Sequence, residues 1–407
     1  MLISAARVVT ANGGPRAAAA AGVLSPGYVA CADGKITAVG AGPPADRPDV
    51  VLSDGMLLPG LVDLQVNGFG GVEIATADAT SWSAIARGLA GTGTTAFLPT
   101  LVSAPLDVLR DALRHAADIA PALAGDGRAE SGARVLGVHL EGPFLSPARP
   151  GAHNPSWLAR PEPDVIDSLL DAGSGVVRLV TLAPEIDGGL AAVKHLAGAG
   201  VLVSVGHSDA TAQQVSAAAT NGARMVTHLF NAQRPMHHRE PGVVGQALSD
   251  ARLVSSLIAD LHHVSGQVAA IAFAAAPGRI CLVSDASPAA GMPPGWYVLG
   301  GQAIELASGD GSPPVRDDGT VAGSALRMDA AVANMVATGI SLADAVAAAT
   351  RIPADLIGRP DLGRIAFGAA ADLTWLSDDL RTKATWVAGR QVFGPELSTS
   401  HAGARDR

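Results

Sequence analysis

The chain has 407 residues, 48% of them apolar and 16% charged, which is ample material for a large buried core and too little charge for a disordered segment. Lys plus Arg number 28 against 37 Asp plus Glu, a net charge of −9, and this balance disfavours nonspecific nucleic-acid binding. Cys31 and Cys281 are too few and too far apart for a disulfide scaffold, and neither a leader pattern nor a run of about 18 apolar residues stands out, so the expectation is a cytoplasmic globular protein with no membrane partner.

In chain order, 12–21 is rich in Ala, Gly and Pro and reads as a loop, while 29–38 and 50–58 are short β-like runs around Asp33-Gly34 and Asp54-Gly55 turns. From residue 57 onward eight nearly all-apolar segments follow, at 57–65, 94–98, 135–141, 176–182, 201–207, 225–228, 254–260 and 280–285. Apolar character on both faces is what buried parallel strands need. Between them lie helix-like stretches such as 81–91, 105–119, 209–221 and 264–275, several opened by Ser, Asp or Pro. Eight strand-then-helix units predict an α/β fold, a closed (β/α)8 barrel over 57–361. The segment 373–392 resembles the N-terminal β runs, so 1–56 and 362–407 are expected to form one small discontinuous β-sandwich domain into which the barrel is inserted. The polar tail 401–407 reads as a frayed end.

In such a barrel the reactive groups gather at the carboxyl ends of the strands, and here those ends carry Gln65, Glu141, His207, His228, Asp260 and Asp285. Glu141, His207 and His228 are separated by 66 and 21 residues, so only the fold can unite them. Two imidazoles and a carboxylate suit Zn²⁺ or a similar divalent ion, and three protein ligands leave a position for a water whose pKa such an ion lowers to about 7. Either histidine alone could equally cap a strand by a hydrogen bond; their shared rim favours a metal. Asp285 ends the last strand and would face that water, as a general base that takes its proton and passes it to a leaving nitrogen.

Seven motifs lie in order along the chain: His139-Leu140-Glu141-Gly142-Pro143-Phe144, Gly151-Ala152-His153-Asn154-Pro155, Gly206-His207-Ser208, Thr227-His228-Leu229-Phe230-Asn231-Ala232, Arg239-Glu240-Pro241-Gly242, Val283-Ser284-Asp285-Ala286 and Ala322-Gly323-Ser324-Ala325. Together they resemble the N-acetylglucosamine-6-phosphate deacetylase family of the amidohydrolase superfamily. The resemblance implies one divalent ion per subunit, Zn²⁺ first with Fe²⁺, Mn²⁺ or Co²⁺ as alternatives, held by Glu141, His207 and His228. It implies Asp285 as acid/base and His153 as the donor that stabilises the oxyanion. It further implies substrate contacts at Ala152, Asn231, Ala232, Asp260 and the Val321-Ala322-Gly323 turn, and phosphate contacts from Arg239 and His263 donated by the neighbouring subunit of a homodimer. The expected activity is removal of acetate from N-acetylglucosamine 6-phosphate. Alternatives are another N-acetylated sugar phosphate or N-acyl compound as substrate, or a metal-free barrel serving as a scaffold.

The chain departs from the pattern at several places. Where many amidohydrolases carry His-x-His for a second metal it has Gln65-Val66-Asn67; amides are poor ligands for such an ion, so a mononuclear site is expected, with Gln65 and Asn67 lining it as hydrogen-bonding groups in the vestigial second-metal positions. Leu261 stands where the family has Gly, and if that loop needs a positive φ the substitution would misplace His263. Gln233 and Ser287-Pro288 are further deviations. His115, His195 and His401, and the scattered Trp82, Trp157, Trp296, Trp375 and Trp386, read as packing or solvent-facing residues.

Overall fold

The computed structural model describes residues 1–11, 22–124, 132–309 and 311–397; the loop expected at 12–21 and the tail 401–407, with His401, lie outside them. Eight parallel strands form the ring of the central sheet, with the two-residue strand Arg134–Val135 paired as a ninth beside the second: β1 (Leu61–Val66), β2 (Thr94–Val102), β3 (Val138–Glu141), β4 (Val177–Leu182), β5 (Leu202–Val205), β6 (Met225–Val226), β7 (Val254–Ile258) and β8 (Ile280–Val283). Each pairs with the next in chain order. The ring closes where Asn67 N–H donates to the Ala286 carbonyl at 2.8 Å and Ser284 N–H donates to Asp63 at 3.1 Å. Nearly every strand residue is buried, as the apolar runs required.

The helices begin where local chemistry can satisfy their free N–H groups. Asp78 caps α1 (Ala79–Ala90) by accepting from Ser81 N–H, and Pro105 precedes α2 (Leu106–Leu123). Next come α3 (Pro163–Ala172), α4 (Gly189–Gly198) and α5 (Ala212–Thr220), the last opened by a reciprocal Thr211–Gln214 capping box. After α6 (Gly242–Ser249), Ser265 caps α7 (Gly266–Ala275). The start expected at Asp209 moves to Ala212 because Asp209 is engaged by Arg149 and Arg234. Between β8 and α8 (Met328–Ala337) the chain inserts an antiparallel hairpin, Gly295–Leu299 with Gln302–Leu306.

Both chain ends build two further sheets. One runs in the order Lys35–Ala41, Gly27–Ala32, Leu2–Ala5, Val50–Leu52; the other in the order Arg390–Phe393, Thr382–Val387, Leu373–Leu376, Met56–Pro59, Val8–Val9, Val23–Leu24. Ile3, Val29, Ile36, Leu57, Leu373 and Trp386 share a core between them. The first barrel strand therefore does not begin at 57: Met56–Pro59 pairs with Leu373–Leu376, and the chain crosses into the barrel at Gly60, where a Cβ would collide with Thr95. No helix among the described residues is long and apolar enough to cross a membrane.

Candidate active site

Glu141 is the last residue of β3, whereas His207, His228 and Asp285 each lie two residues beyond the ends of β5, β6 and β8. All three of the latter take positive φ, at 47°, 30° and 51°, a conformation that costs a non-glycine residue about 1–2 kcal/mol. The turns are fixed from outside: Ser256 Oγ accepts from His228 N–H at 2.7 Å, Ser324 N–H donates to the Asp285 carbonyl at 2.8 Å, and Ser146 N–H donates to the His207 carbonyl at 2.9 Å. Gly206 is required before His207 because a Cβ there would sit 2.6 Å from Thr181.

The result is a buried cluster. His207 Nε2 lies 3.2 Å and His228 Nε2 3.0 Å from Glu141 Oε1, and the two nitrogens are 3.0 Å apart. One ligand atom from each residue falls within 4.8 Å of the others, and among the described residues no other trio of His, Cys, Asp or Glu is so arranged. His207 Nδ1 donates to the Arg149 carbonyl at 3.2 Å, which leaves Nε2 with a free lone pair toward the centre. His228 Nδ1 is buried without a partner. Burial opposes ionisation of Glu141, but the His207 and His228 rings facing its carboxylate outweigh it and hold the carboxyl well below its usual range. An anionic carboxylate facing two imidazole nitrogens at these distances is a donor set that fits a divalent cation.

Asp285 lies beside this cluster, 8% exposed, and accepts from Asn67 Nδ2 at 2.7 Å. Burial, and then the negative charge of Glu141, push its carboxyl up to about 7, the range in which a general base works at neutral pH. His153 accepts at Nδ1 from Ser103 N–H at 3.3 Å and lies 2.9 Å from Ser103 Oγ. Burial, and then the imidazole of His207, push His153 down to about 3. It is thus a neutral ring whose proton sits on Nε2, 3.9 Å from Glu141 Oε2, as an oxyanion donor requires.

These groups line a cavity of about 170 Å³ together with Asn67, Ala152, Asn231, Ala232, Val321 and Gly323. Ala322 is buried behind it, in a smaller pocket shared with His153 and Leu299. Gln65 reaches the cluster from below the wall, its Nε2 donating to Glu141 Oε1 at 3.0 Å. A larger cleft of about 660 Å³ lies elsewhere, around Lys35, Arg134 and Arg390, and contains none of this chemistry.

Three of the expected substrate contacts differ in how they meet the cavity. His263 lines the cavity of its own chain. Asp260 is not in the cavity wall; it accepts from His262 N–H, His263 N–H and His263 Nδ1, so its capacity is used to aim His263. Arg239 is also outside the wall, exposed and bonded to His238 at 2.8 Å. Leu261 does adopt a positive φ, 67°, yet the three Asp260 bonds keep His263 in place. Gln233 pins the turn after His228, donating to the Thr227 carbonyl and accepting from Phe230 N–H, while Ser287 Oγ donates to the Ser324 carbonyl. His115 and His195 bond to Ala77 and Asp167, away from the site.

Ser103 was missed in the sequence reading, along with its neighbour Val102. The signal was there: the apolar run continues through Thr100-Leu101-Val102, but Pro99 reads as a stop. The strand instead absorbs the proline at a register shift against β1. The cover supplied by Leu299 from the 295–306 hairpin carries no sequence signature of its own.

Residues 56–392 match the Amidohydrolase family. The chain is 38% identical over 354 residues to the N-acetylglucosamine-6-phosphate deacetylase of Bos taurus, covering 84% of each. It is 38% identical over 338 residues to the N-acetylgalactosamine-6-phosphate deacetylase of Escherichia coli O157:H7, covering 82% of this chain and 87% of the relative. The solved structure of a mutant N-acetyl-D-glucosamine-6-phosphate deacetylase from Mycobacterium smegmatis in complex with N-acetyl-D-glucosamine-6-phosphate superposes with a TM-score of 0.88 at 35% identity, over 96% of this chain and 99% of that one. With the barrel, the strand-end ligands and these likenesses together, the chain belongs to the amidohydrolase family.

Proposed function

We propose that this chain is a metal-dependent hydrolase that removes acetate from N-acetylglucosamine 6-phosphate and releases glucosamine 6-phosphate. The observation that carries this reading is the convergence in one buried cavity of three ligand residues, a carboxylate poised near neutrality and a neutral imidazole with its proton facing inward. A divalent ion, Zn²⁺ by the chemistry of its nitrogen and oxygen donors, would be held by Glu141, His207 and His228, and when bound it polarises the acyl carbonyl and acidifies water. Asp285 takes the proton of the attacking water and returns it to the leaving nitrogen. His153 donates Nε2–H to the oxygen on which charge develops, and Ser103 keeps that tautomer by occupying Nδ1. His263, aimed by Asp260, and the Asn231-Ala232 turn face the sugar. Arg239 supplies the phosphate contact to the site of a neighbouring subunit, in a homodimer. A cytoplasmic setting suits a phosphorylated substrate and two free, buried thiols.

The test is acetate release from N-acetylhexosamine 6-phosphates by the Zn²⁺-loaded protein. Activity on the glucosamine epimer is expected, falling about 100- to 10,000-fold in Asp285→Asn with metal content unchanged. Arg239→Ala should raise KM for the phosphorylated substrate and spare unphosphorylated N-acetylglucosamine; equal loss on both removes the phosphate assignment. No acetate release from either epimer by the loaded protein overturns the whole reading.

A further inference from the structure

The cleft of about 660 Å³ that lies apart from the catalytic cavity runs along the seam between the barrel and the terminal sheets, a frequent place for ligand sites. Arg134, on its barrel side, pairs with Ala96 near the start of β2, whereas Ser103 follows the other end of that strand and holds His153, so roughly 20 Å of strand separates the two cavities. The opposite lip is built from two tight hairpin turns. Asp33-Gly34 joins Gly27–Ala32 to Lys35–Ala41, and Ala388-Gly389 joins Thr382–Val387 to Arg390–Phe393. All four turn residues take positive φ, between 49° and 75°, as two-residue turns of this hand require. The turns touch, since a Cβ on Gly34 would lie 3.3 Å from that of Ala388. Ala371 locks them together: its N–H donates to the Gly34 carbonyl and its carbonyl accepts from Gly389 N–H, both at 2.8 Å. Lys35 and Arg390, each the first residue after its turn, are thereby set on one rim.

Four cationic side chains, Lys35, Arg134, Arg359 and Arg390, line this cleft in a chain whose net charge is −9. Arg134 is engaged by Asp372 through Nε and Nη2. Arg359 donates Nε and Nη2 to Asp361 at 2.8 and 2.7 Å, which leaves its Nη1 unspent. Asp361 favours the charge of Arg359, while burial and the neighbouring Arg134 oppose it. Lys35 and Arg390 are exposed and have no ion-pair partner among the described residues. The remaining carboxylate of the lining, Asp33, is exposed at the same rim. No aromatic ring lines the cleft among the described residues, so nothing there stacks a nucleobase. Ammonium and guanidinium donors that converge on one concavity suit a phosphate dianion, and a carboxylate next to them accepts hydroxyl protons. We propose that this cleft is a second ligand site, separate from the catalytic cavity, for a small phosphate dianion: its phosphate bonds Lys35, Arg390 and Arg359 Nη1, and where the phosphate is esterified to a sugar, Asp33 takes the hydroxyls. Free phosphate shares the dianion and lacks the hydroxyls. A ligand held in this way spans the seam between the barrel and the terminal sheets.

The site uses none of the catalytic residues, so its test stands apart from the deacetylase reading. Glucose 6-phosphate, which has no acetamido group to lose, is titrated by calorimetry into the unaltered full chain and into the double variant Lys35→Ala/Arg390→Ala. The unaltered protein should take up one equivalent more than the double variant, or bind that equivalent at least about tenfold more tightly. The thermal midpoint without ligand should be the same in both, because the two side chains are exposed. Arg390→Gln, which keeps a polar stem at the rim, should weaken the same equivalent if the double variant does not fold. Inorganic phosphate separates the two sources: weaker binding than glucose 6-phosphate at the equivalent that the variants lose assigns the site to a sugar phosphate, and equal binding assigns it to phosphate itself. Stoichiometry and affinity that are identical in the unaltered protein and the variants, for both ligands, overturn the proposal.

Discussion

Leu261 holds a left-handed backbone, φ 67°, with its side chain 38% exposed. Little burial offsets the strain of a branched residue there, so it persists because Asp260 bonds to the two residues that follow, His262 and His263. Leu261→Gly should therefore stabilise the fold by up to about 1 kcal/mol, the relieved strain less the greater unfolded freedom of glycine. A urea midpoint that falls instead would show that Leu261 packing outweighs its φ. The same strain at His207, His228 and Asp285 belongs to function: a regular strand would alternate these side chains across the sheet, and the kink two residues past each strand turns them to one centre.

Among the elements, the barrel and the terminal sheets are joined by a buried ion pair. Arg134, in the short strand Arg134–Val135 beside β2, is 6% exposed at its side chain, and Asp372, just before Leu373–Leu376, is 2% exposed. The guanidinium donates to both carboxylate oxygens, at 3.0 and 2.8 Å, and Asp372 also accepts from Ala388 N–H at 2.7 Å. Arg134→Met should destabilise by about 3–5 kcal/mol, because it strands a buried carboxylate, and replacing both partners by apolar residues should cost less than the single change. Equal losses in single and double variants, read from denaturant unfolding, would mean that packing of the arginine stem and not the charge is what matters. A second ionic bridge works on the site's rim, where Asp209 accepts from Arg149 and Arg234 at 2.9 and 2.7 Å, tying together the loops after β3, β5 and β6.

Across the whole molecule, the three candidate ligands come from β3, β5 and β6, so an ion bound there cross-links separate units of the ring. Any ligand bound only by the folded state stabilises it, by about 2.7 kcal/mol at a free concentration of one hundred times Kd. Chelation should lower the thermal midpoint along with activity, readdition of Zn²⁺ should restore both, and Glu141→Gln should melt nearly the same with or without chelator. Identical melting of the unaltered protein in both conditions would argue against a tightly held ion.

The order of the eight strands and the residue types at their ends were legible in the sequence, because burial on two faces leaves an apolar run and a barrel concentrates polar groups at one rim. Glu141, His207, His228 and Asp285 could be named from those runs and from the family motifs. The tertiary structure alone decided what depends on residues distant in the chain. It gave residues 56–59 to the terminal sheets, through Leu373–Leu376, and the His153 tautomer to Ser103, through a strand that runs past Pro99. It also placed His263 in its own chain's cavity and brought the turns before Lys35 and Arg390 to one cleft. Periodicity reports which face of an element is buried, but hydrogen-bond partners and the direction of a kinked side chain are set by which elements the fold brings alongside, and local sequence carries no record of that choice.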